Sequence, residues 1–168
     1  NIKYRSNKVI ELNAITKVPN IKLLKCKYCN HFFASHVLKP EILNNYYANI
    51  NSEFYLDKSN EPSDTLVIER KKIVKLIEIL MRDGGSILDV GCGYGFLLSY
   101  LRKDKWKCYG VEPSNYASQI ASANGIKIVA PYINLIKPSE YKFDIILLMD
   151  VIEHIIDSND LIKILYNL

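Results

Sequence analysis

The stretch Ser86-Ile-Leu-Asp-Val-Gly-Cys-Gly-Tyr-Gly-Phe-Leu-Leu98 constrains this chain more than any other. An apolar run, Ile87 to Val90, gives way to glycines at alternate positions, Gly91, Gly93 and Gly95. An apolar segment at helical spacing, Phe96 to Leu101, follows at once. Strand, tight turn and helix in that order form the first unit of a Rossmann-like α/β sheet. Glycine belongs in such a turn because the backbone takes positive φ and a ligand approaches where a Cβ would stand. The N–H groups at the start of the following helix favour electron-rich ligand groups. About 20 residues on, where an acid holds a ribose in such sheets, Glu112 ends the apolar run Cys108-Tyr-Gly-Val-Glu112.

The glycine spacing separates two ligand classes. A dinucleotide turn reads G-x-G-x-x-G, its third glycine lying where the helix packs on the strand. Phe96 takes that place here, and Gly95 comes one residue early. Asp89 stands two residues before the first glycine. This D-x-G-x-G-x-G pattern resembles the S-adenosylmethionine (SAM) site of class I methyltransferases of the type 11, 12 and 23 kind. The resemblance implies that Asp89, Gly91, Cys92, Gly93, Tyr94 and Gly95 pass under the methionine part of the cofactor. It likewise implies that Glu112, followed by Pro113, holds the ribose hydroxyls. After the third strand the family often places an acid against the adenine. This chain has Tyr132, Ile133 and Asn134 instead, so the contact falls to Asn134 or to backbone groups around Ile133.

At 168 residues, 49% apolar and 24% charged, the chain suits one folded domain with a small appendage. A net charge of +4 spread along the sequence gives no nucleic-acid footprint. No apolar run reaches the roughly 20 residues of a membrane span, and the start carries no signal-peptide pattern. Four dispersed cysteines make no secreted disulfide framework. These features predict a cytoplasmic protein.

Three regions follow from a pass along the chain. Residues 1–38 carry short β-prone pieces around Cys26-Lys-Tyr-Cys29. Two cysteines on a tight turn present two thiolates to one zinc, and a closed structural site needs four ligands. His31 and His36 are near enough in sequence to be considered as the others. The pattern also resembles the amino-terminal Cys ribbon of many bacterial methyltransferases, which implies a first knuckle upstream of Asn1. Residues 39–62 read as a helical linker or lid, with Pro40 in a first turn and Tyr46, Tyr47, Phe54 and Tyr55 as an aromatic stripe. Residues 63–168 form the amino-terminal part of a SAM-binding domain. Ser63 or Asp64 caps a helix toward Arg82, with Ile73, Leu76, Ile77 and Leu80 on its inner face.

The rest of that domain is expected as a helix over Phe96 to Lys103, a strand stopped by Pro113 and a helix capped by Ser114 and closed at Gly125. A strand over Ile126 to Ala130 comes next. Phe143 to Met149 is the most continuous apolar run and predicts a strand buried on both faces. Asp150-Val-Ile-Glu-His154 follows, then a helix from Ser158 to Leu168. The F-D-x-I and D-V-I-E-H strings resemble the fourth strand and acceptor-side loop of small-molecule methyltransferases. That resemblance implies methyl transfer to a small acceptor, with Asp150 and His154 as candidate catalytic residues and Asp150 also near the cofactor; the Cys-ribbon resemblance implies a sugar or related metabolite as that acceptor. His154 has the chemistry of a general base; its other reading is a turn-holding side chain. No strand is available beyond Phe143–Met149, so the chain is expected to continue past Leu168, and an open edge there predicts self-association. A dinucleotide-linked oxidoreductase and a non-catalytic binding module are the alternative functions.

Overall fold

The computed structural model describes residues 9–12, 22–36, 39–49, 64–155 and 158–168. They fall into two compact units, Asn1–Pro40 and Glu41–Leu168. In the first, β1 (Val9–Leu12), β2 (Leu23–Cys26) and β3 (Phe32–Ala34) form an antiparallel sheet in that order. The β2–β3 connection is the Cys26-Lys-Tyr-Cys29 turn. It is closed by the Cys26 N–H donating to the His31 carbonyl at 2.8 Å and the Asn30 N–H donating to the Cys26 carbonyl at 3.0 Å. Asn30 supplies the left-handed residue such a reversal needs, at φ 59°.

The second unit opens with α1 (Pro40–Ala48), of which Pro40 is the last residue of the first, and α2 (Asp64–Leu80). Next come β4 (Gly85–Val90), α3 (Phe96–Ser99) and β5 (Trp106–Val111). The chain continues through α4 (Asn115–Ala123), β6 (Lys127–Ala130), β7 (Ile145–Leu147) and α5 (Ser158–Tyr166). The strands are parallel in the order β6-β5-β4-β7. This is the expected Rossmann-like arrangement with β4 at its centre. Alternate residues of β4 point to opposite faces, and both faces are covered. Ile87 joins Val74, Ile77, Leu97, Leu98, Leu101 and Trp106 in one core cluster. Leu88 and Val90 join Val111, Ala130, Ile136 and Leu168 in the other. Each fully buried aliphatic side chain here contributes about 1.5–3 kcal/mol relative to exposure.

Local chemistry sets the element ends. Ser114 accepts from the Ala117 N–H at 3.2 Å and caps α4, and Gly125 follows its end at φ 88°. The start of β7 is pinned to β4 by Asp144, whose Oδ2 accepts from both the N–H and the hydroxyl of Ser86 at 2.7 Å.

Four expectations are corrected. First, α3 ends at Ser99 rather than Lys103: Tyr100 and Leu101 turn back by N–H bonds to Leu97 and Leu98, and the Ser99 hydroxyl donates to the Phe96 carbonyl at 2.8 Å. Leu97, Leu98 and Leu101 are nonetheless buried. Second, α2 turns only part of the expected face inward: Ile77 is buried and Ile73 packs against the core, but the face is shifted toward Val74. Val74 and Ile77 are buried, whereas Leu76 and Leu80 are 55% and 70% exposed. Third, β7 is three residues long and half-buried, because it pairs with β4 on one side alone among the described residues. Fourth, among the described residues no group of three or more His, Cys, Asp or Glu gathers that would hold a metal. Neither His31, which stacks on Phe33 at 6.3 Å, nor His36, which pairs with the Ser35 hydroxyl at 2.9 Å, gathers with Cys26 and Cys29 into such a group. Phe54, Tyr55 and Ser63 lie outside the described residues.

Candidate cofactor and acceptor site

Parallel strands gather their carboxyl ends at one edge of the sheet, where ligands of open α/β folds sit. There the chain leaves β4 through Gly91, Gly93 and Gly95, with φ of 74°, 54° and 73°. Two of these glycines are also needed for space. A Cβ on Gly91 would lie 2.6 Å from Val151 Cγ2, and one on Gly95 would lie 2.7 Å from Ile126 Cγ1. The first contact brings the segment after β7 against the turn.

Glu112, at the end of β5, ties this turn to the next. Its Oε2 accepts from the Gly93 N–H at 2.9 Å and its Oε1 from the Ser114 N–H at 2.8 Å. The side chain is buried. Burial pushes its pKa up, and the two N–H donors pull it part of the way back. Each carboxylate oxygen keeps a second lone pair for a further donor.

Asp89 is buried too, and its Oδ1 has no hydrogen-bond partner among the described residues. Burial, opposed by the Arg70 charge and reinforced by Glu112, pushes its carboxyl up to about 7. A buried acceptor left without a donor costs free energy, which marks a place where a ligand donor is wanted. Cys92 is inert by the same physics: burial first, then the charges of Asp89 and Glu112, push its thiol far up. Tyr94 is buried, its ring edge-on to Phe96 and Tyr116 at 5.7 and 6.0 Å.

Beyond β7, Asp150 sits at φ 56°, uncommon for a residue with a side chain. Its carboxylate accepts from Arg70 at 3.1 Å. Arg70 is a site residue the sequence reading missed. It lies four residues before Val74 and seven before Ile77, in phase with the buried stripe of α2. A lone cation on an inward helical face was the available signal. His154 closes the short turn Ile152–His154, and its ring meets Tyr47 of α1 edge-on at 5.7 Å. Ile133 and Asn134 lie in the turn Ile133–Leu135 after β6, half-buried and exposed respectively; Pro113 is half-buried after β5.

A doubly wound sheet with a glycine turn and an acid after its second strand defines a nucleotide-cofactor fold. Residues 68–168 match the methyltransferase domain family, and the chain belongs to that family. A ubiquinone biosynthesis O-methyltransferase from Bradyrhizobium diazoefficiens is 35% identical over 86 residues, 48% of this chain and 34% of that protein. The chain thus spans about a third of the length of this curated relative. Magnesium protoporphyrin IX methyltransferase from Synechocystis PCC 6803, solved with bound SAM, superposes with a TM-score of 0.57 at 15% identity, over 79% of this chain and 71% of that one. The plantazolicin methyltransferase BpumL, solved with S-adenosylhomocysteine, gives 0.52 at 20% identity, over 74% and 54% of the two chains. These likenesses are to the fold. The family match sets aside the dinucleotide-linked oxidoreductase. Among the described residues no helix is long and apolar enough to cross a membrane.

Proposed function

We propose that this protein is a SAM-dependent methyltransferase acting on a small-molecule acceptor. The observation that carries the reading is the charge at the glycine turn: the oxygen of buried Asp89 that has no hydrogen-bond partner among the described residues, beside Glu112 and Arg70. A dinucleotide would bring a diphosphate to that turn, against the Glu112 carboxylate and the Asp89 carboxyl at low dielectric. A zwitterionic amino-acid end with a sulfonium fits them instead, its ammonium at Asp89 and its carboxylate at Arg70. Glu112 then receives the ribose hydroxyls through its remaining lone pairs, and the turn around Ile133 and Asn134 meets the adenine. When bound, SAM supplies an electrophilic methyl group, so the chain's task is alignment of the acceptor. Asp150 and His154 face that acceptor, and the His154 imidazole takes the proton that a hydroxyl or amine releases.

Support for a small acceptor comes from two relatives whose names concern ubiquinone biosynthesis and a magnesium porphyrin. A sugar or related metabolite is the finer reading, carried by the resemblance of the Cys-ribbon pattern. The protein is read as cytoplasmic, and the open side of β7 as an edge for self-association. Cys26 and Cys29 are read as half of a structural zinc site. Calorimetry tests the cofactor assignment. SAM should bind and NAD should not, and Glu112→Ala should weaken SAM by about 2–4 kcal/mol through lost charge-assisted bonds. Tighter binding of NAD than of SAM would remove it.

A further inference from the structure

The helix α1 carries chemistry that the cofactor reading does not use. Two contacts tie it to the carboxyl end of the sheet. The Tyr132 hydroxyl, just after β6, donates to the Asn44 carbonyl at 3.4 Å. Tyr47 meets the His154 ring at 5.7 Å with 62° between the planes, the edge-on arrangement aromatic pairs favour. Tyr46 in turn lies edge-on to Tyr47 at 5.3 Å. The helix therefore reaches both the loop after β6 and the loop after β7, on the edge of the sheet that carries the glycine turn.

His154 itself is exposed, on a turn of three residues. An imidazole in that setting samples several rotamers unless a neighbour limits them, and a general base works only within reach of its proton. Tyr47 is half-buried and is the aromatic neighbour of that imidazole. Its phenol stays neutral: burial, then Tyr46 and Glu153, push its pKa above the usual value.

We infer that Tyr47 is a positioning residue, whose ring holds the His154 imidazole toward the acceptor so that α1 forms one wall of the acceptor site. The inference rests on the methyltransferase reading, but its first test does not. In the protein without cofactor, Tyr47→Leu should move the His154 Hε1 resonance by removing the ring current, and Tyr47→Phe should leave it near its wild-type place. In methyl transfer, Tyr47→Leu should lower kcat on the order of tenfold to a hundredfold, the size of effect a misplaced group has. Its SAM affinity should stay unchanged, and Tyr47→Phe should restore turnover. An unmoved resonance in Tyr47→Leu overturns the inference. So does a Phe variant that loses as much turnover as the Leu variant, because the hydroxyl and not the ring would then act. Wild-type protein that binds no SAM overturns the underlying methyltransferase reading, whatever the resonance shows.

Discussion

In the sheet unit Ile87, Leu88 and Leu98 are wholly enclosed, and two core clusters lie on the two faces of β4. In the hairpin unit no residue from Lys22 to His36 is buried; each is exposed or half-buried. Both have regular strand pairing, so hydrogen bonds alone do not distinguish them. What differs is the apolar surface removed from water, the main favourable term in folding. A three-stranded sheet with little enclosed surface is marginal by itself, and small units of this kind draw on metals or disulfides. Cys26 and Cys29 are in no disulfide. The contrast teaches that the described part of the first unit has little core to hold it, whereas the second unit is held by its core.

The largest effect expected of that contrast concerns metal. If two thiolates of the hairpin turn belong to a zinc site, the full-length protein should carry about one zinc for each complete set of four ligands. Removing it with a chelator should strip hydrogen-exchange protection from the β1–β3 amides, because binding energy is folding energy in such units. The β4 amides should be unaffected. Metal analysis that finds no zinc under reducing conditions, with the hairpin amides still protected, would break the comparison.

Truncating a core side chain is the next step down. Leu88→Ala removes a fully enclosed side chain from the central strand and should destabilise the sheet unit by about 4 kcal/mol, toward the upper end for such changes. Denaturant unfolding followed at Trp106, itself buried, measures it. A loss below about 1 kcal/mol would mean the core repacks far more freely than native interiors do.

Asp89 adds a pH dependence to the sheet unit. Its carboxyl is raised from its ordinary value near 3.8 to about 7, chiefly by burial. The unfolded chain gives up this proton near pH 4, and the folded chain holds it to about pH 7. The contribution is therefore fully present below the unfolded value and is lost as pH rises through the folded one. Across that window it falls by about 4 kcal/mol. Asp89→Asn should flatten this slope and stabilise the protein at pH 8, while weakening SAM. Stability measured against pH, with calorimetry beside it, checks both halves. A site residue that lowers stability and raises affinity is where local rules are expected to fail for function.

The same physics explains what could be read in advance. The glycine turn was legible because positive φ at three alternate positions leaves few alternatives to glycine, and Ser114 and Gly125 because caps have a local chemistry. The inner face of α2 was legible only in part, at Ile73 and Ile77. Leu76 and Leu80 are as apolar as Val74, and only the packing of the sheet decides which of them turns inward. The extent of β7 was equally hidden: Phe143 to Met149 is apolar throughout, yet pairing with β4 fixes the strand at Ile145–Leu147. The Tyr47–His154 contact spans more than a hundred residues of sequence, and no local pattern announces it. The placement of Glu112 illustrates a mixed case. Its position predicted a ligand role, but its two bonds to Gly93 and Ser114 show that it also holds the turn together.

The smallest effect sharpens the comparison most. Leu24 of β2 lies opposite Glu11 on one side and Phe33 on the other, and it is half-buried. Removing its side chain forfeits part of the transfer free energy and opens no closed cavity, because the site is not enclosed. Leu24→Ala should therefore cost about 1 kcal/mol or less, against the several expected at Leu88. The measurement is hydrogen exchange at the β2 amides, which reports the hairpin whatever the sheet unit does. If the hairpin is held by its turn, the small cost should persist with zinc bound, and adding zinc should raise protection equally in wild type and variant. A cost at Leu24 as large as that at Leu88 would place a core under the hairpin, and its stability would then rest on burial as the sheet's does.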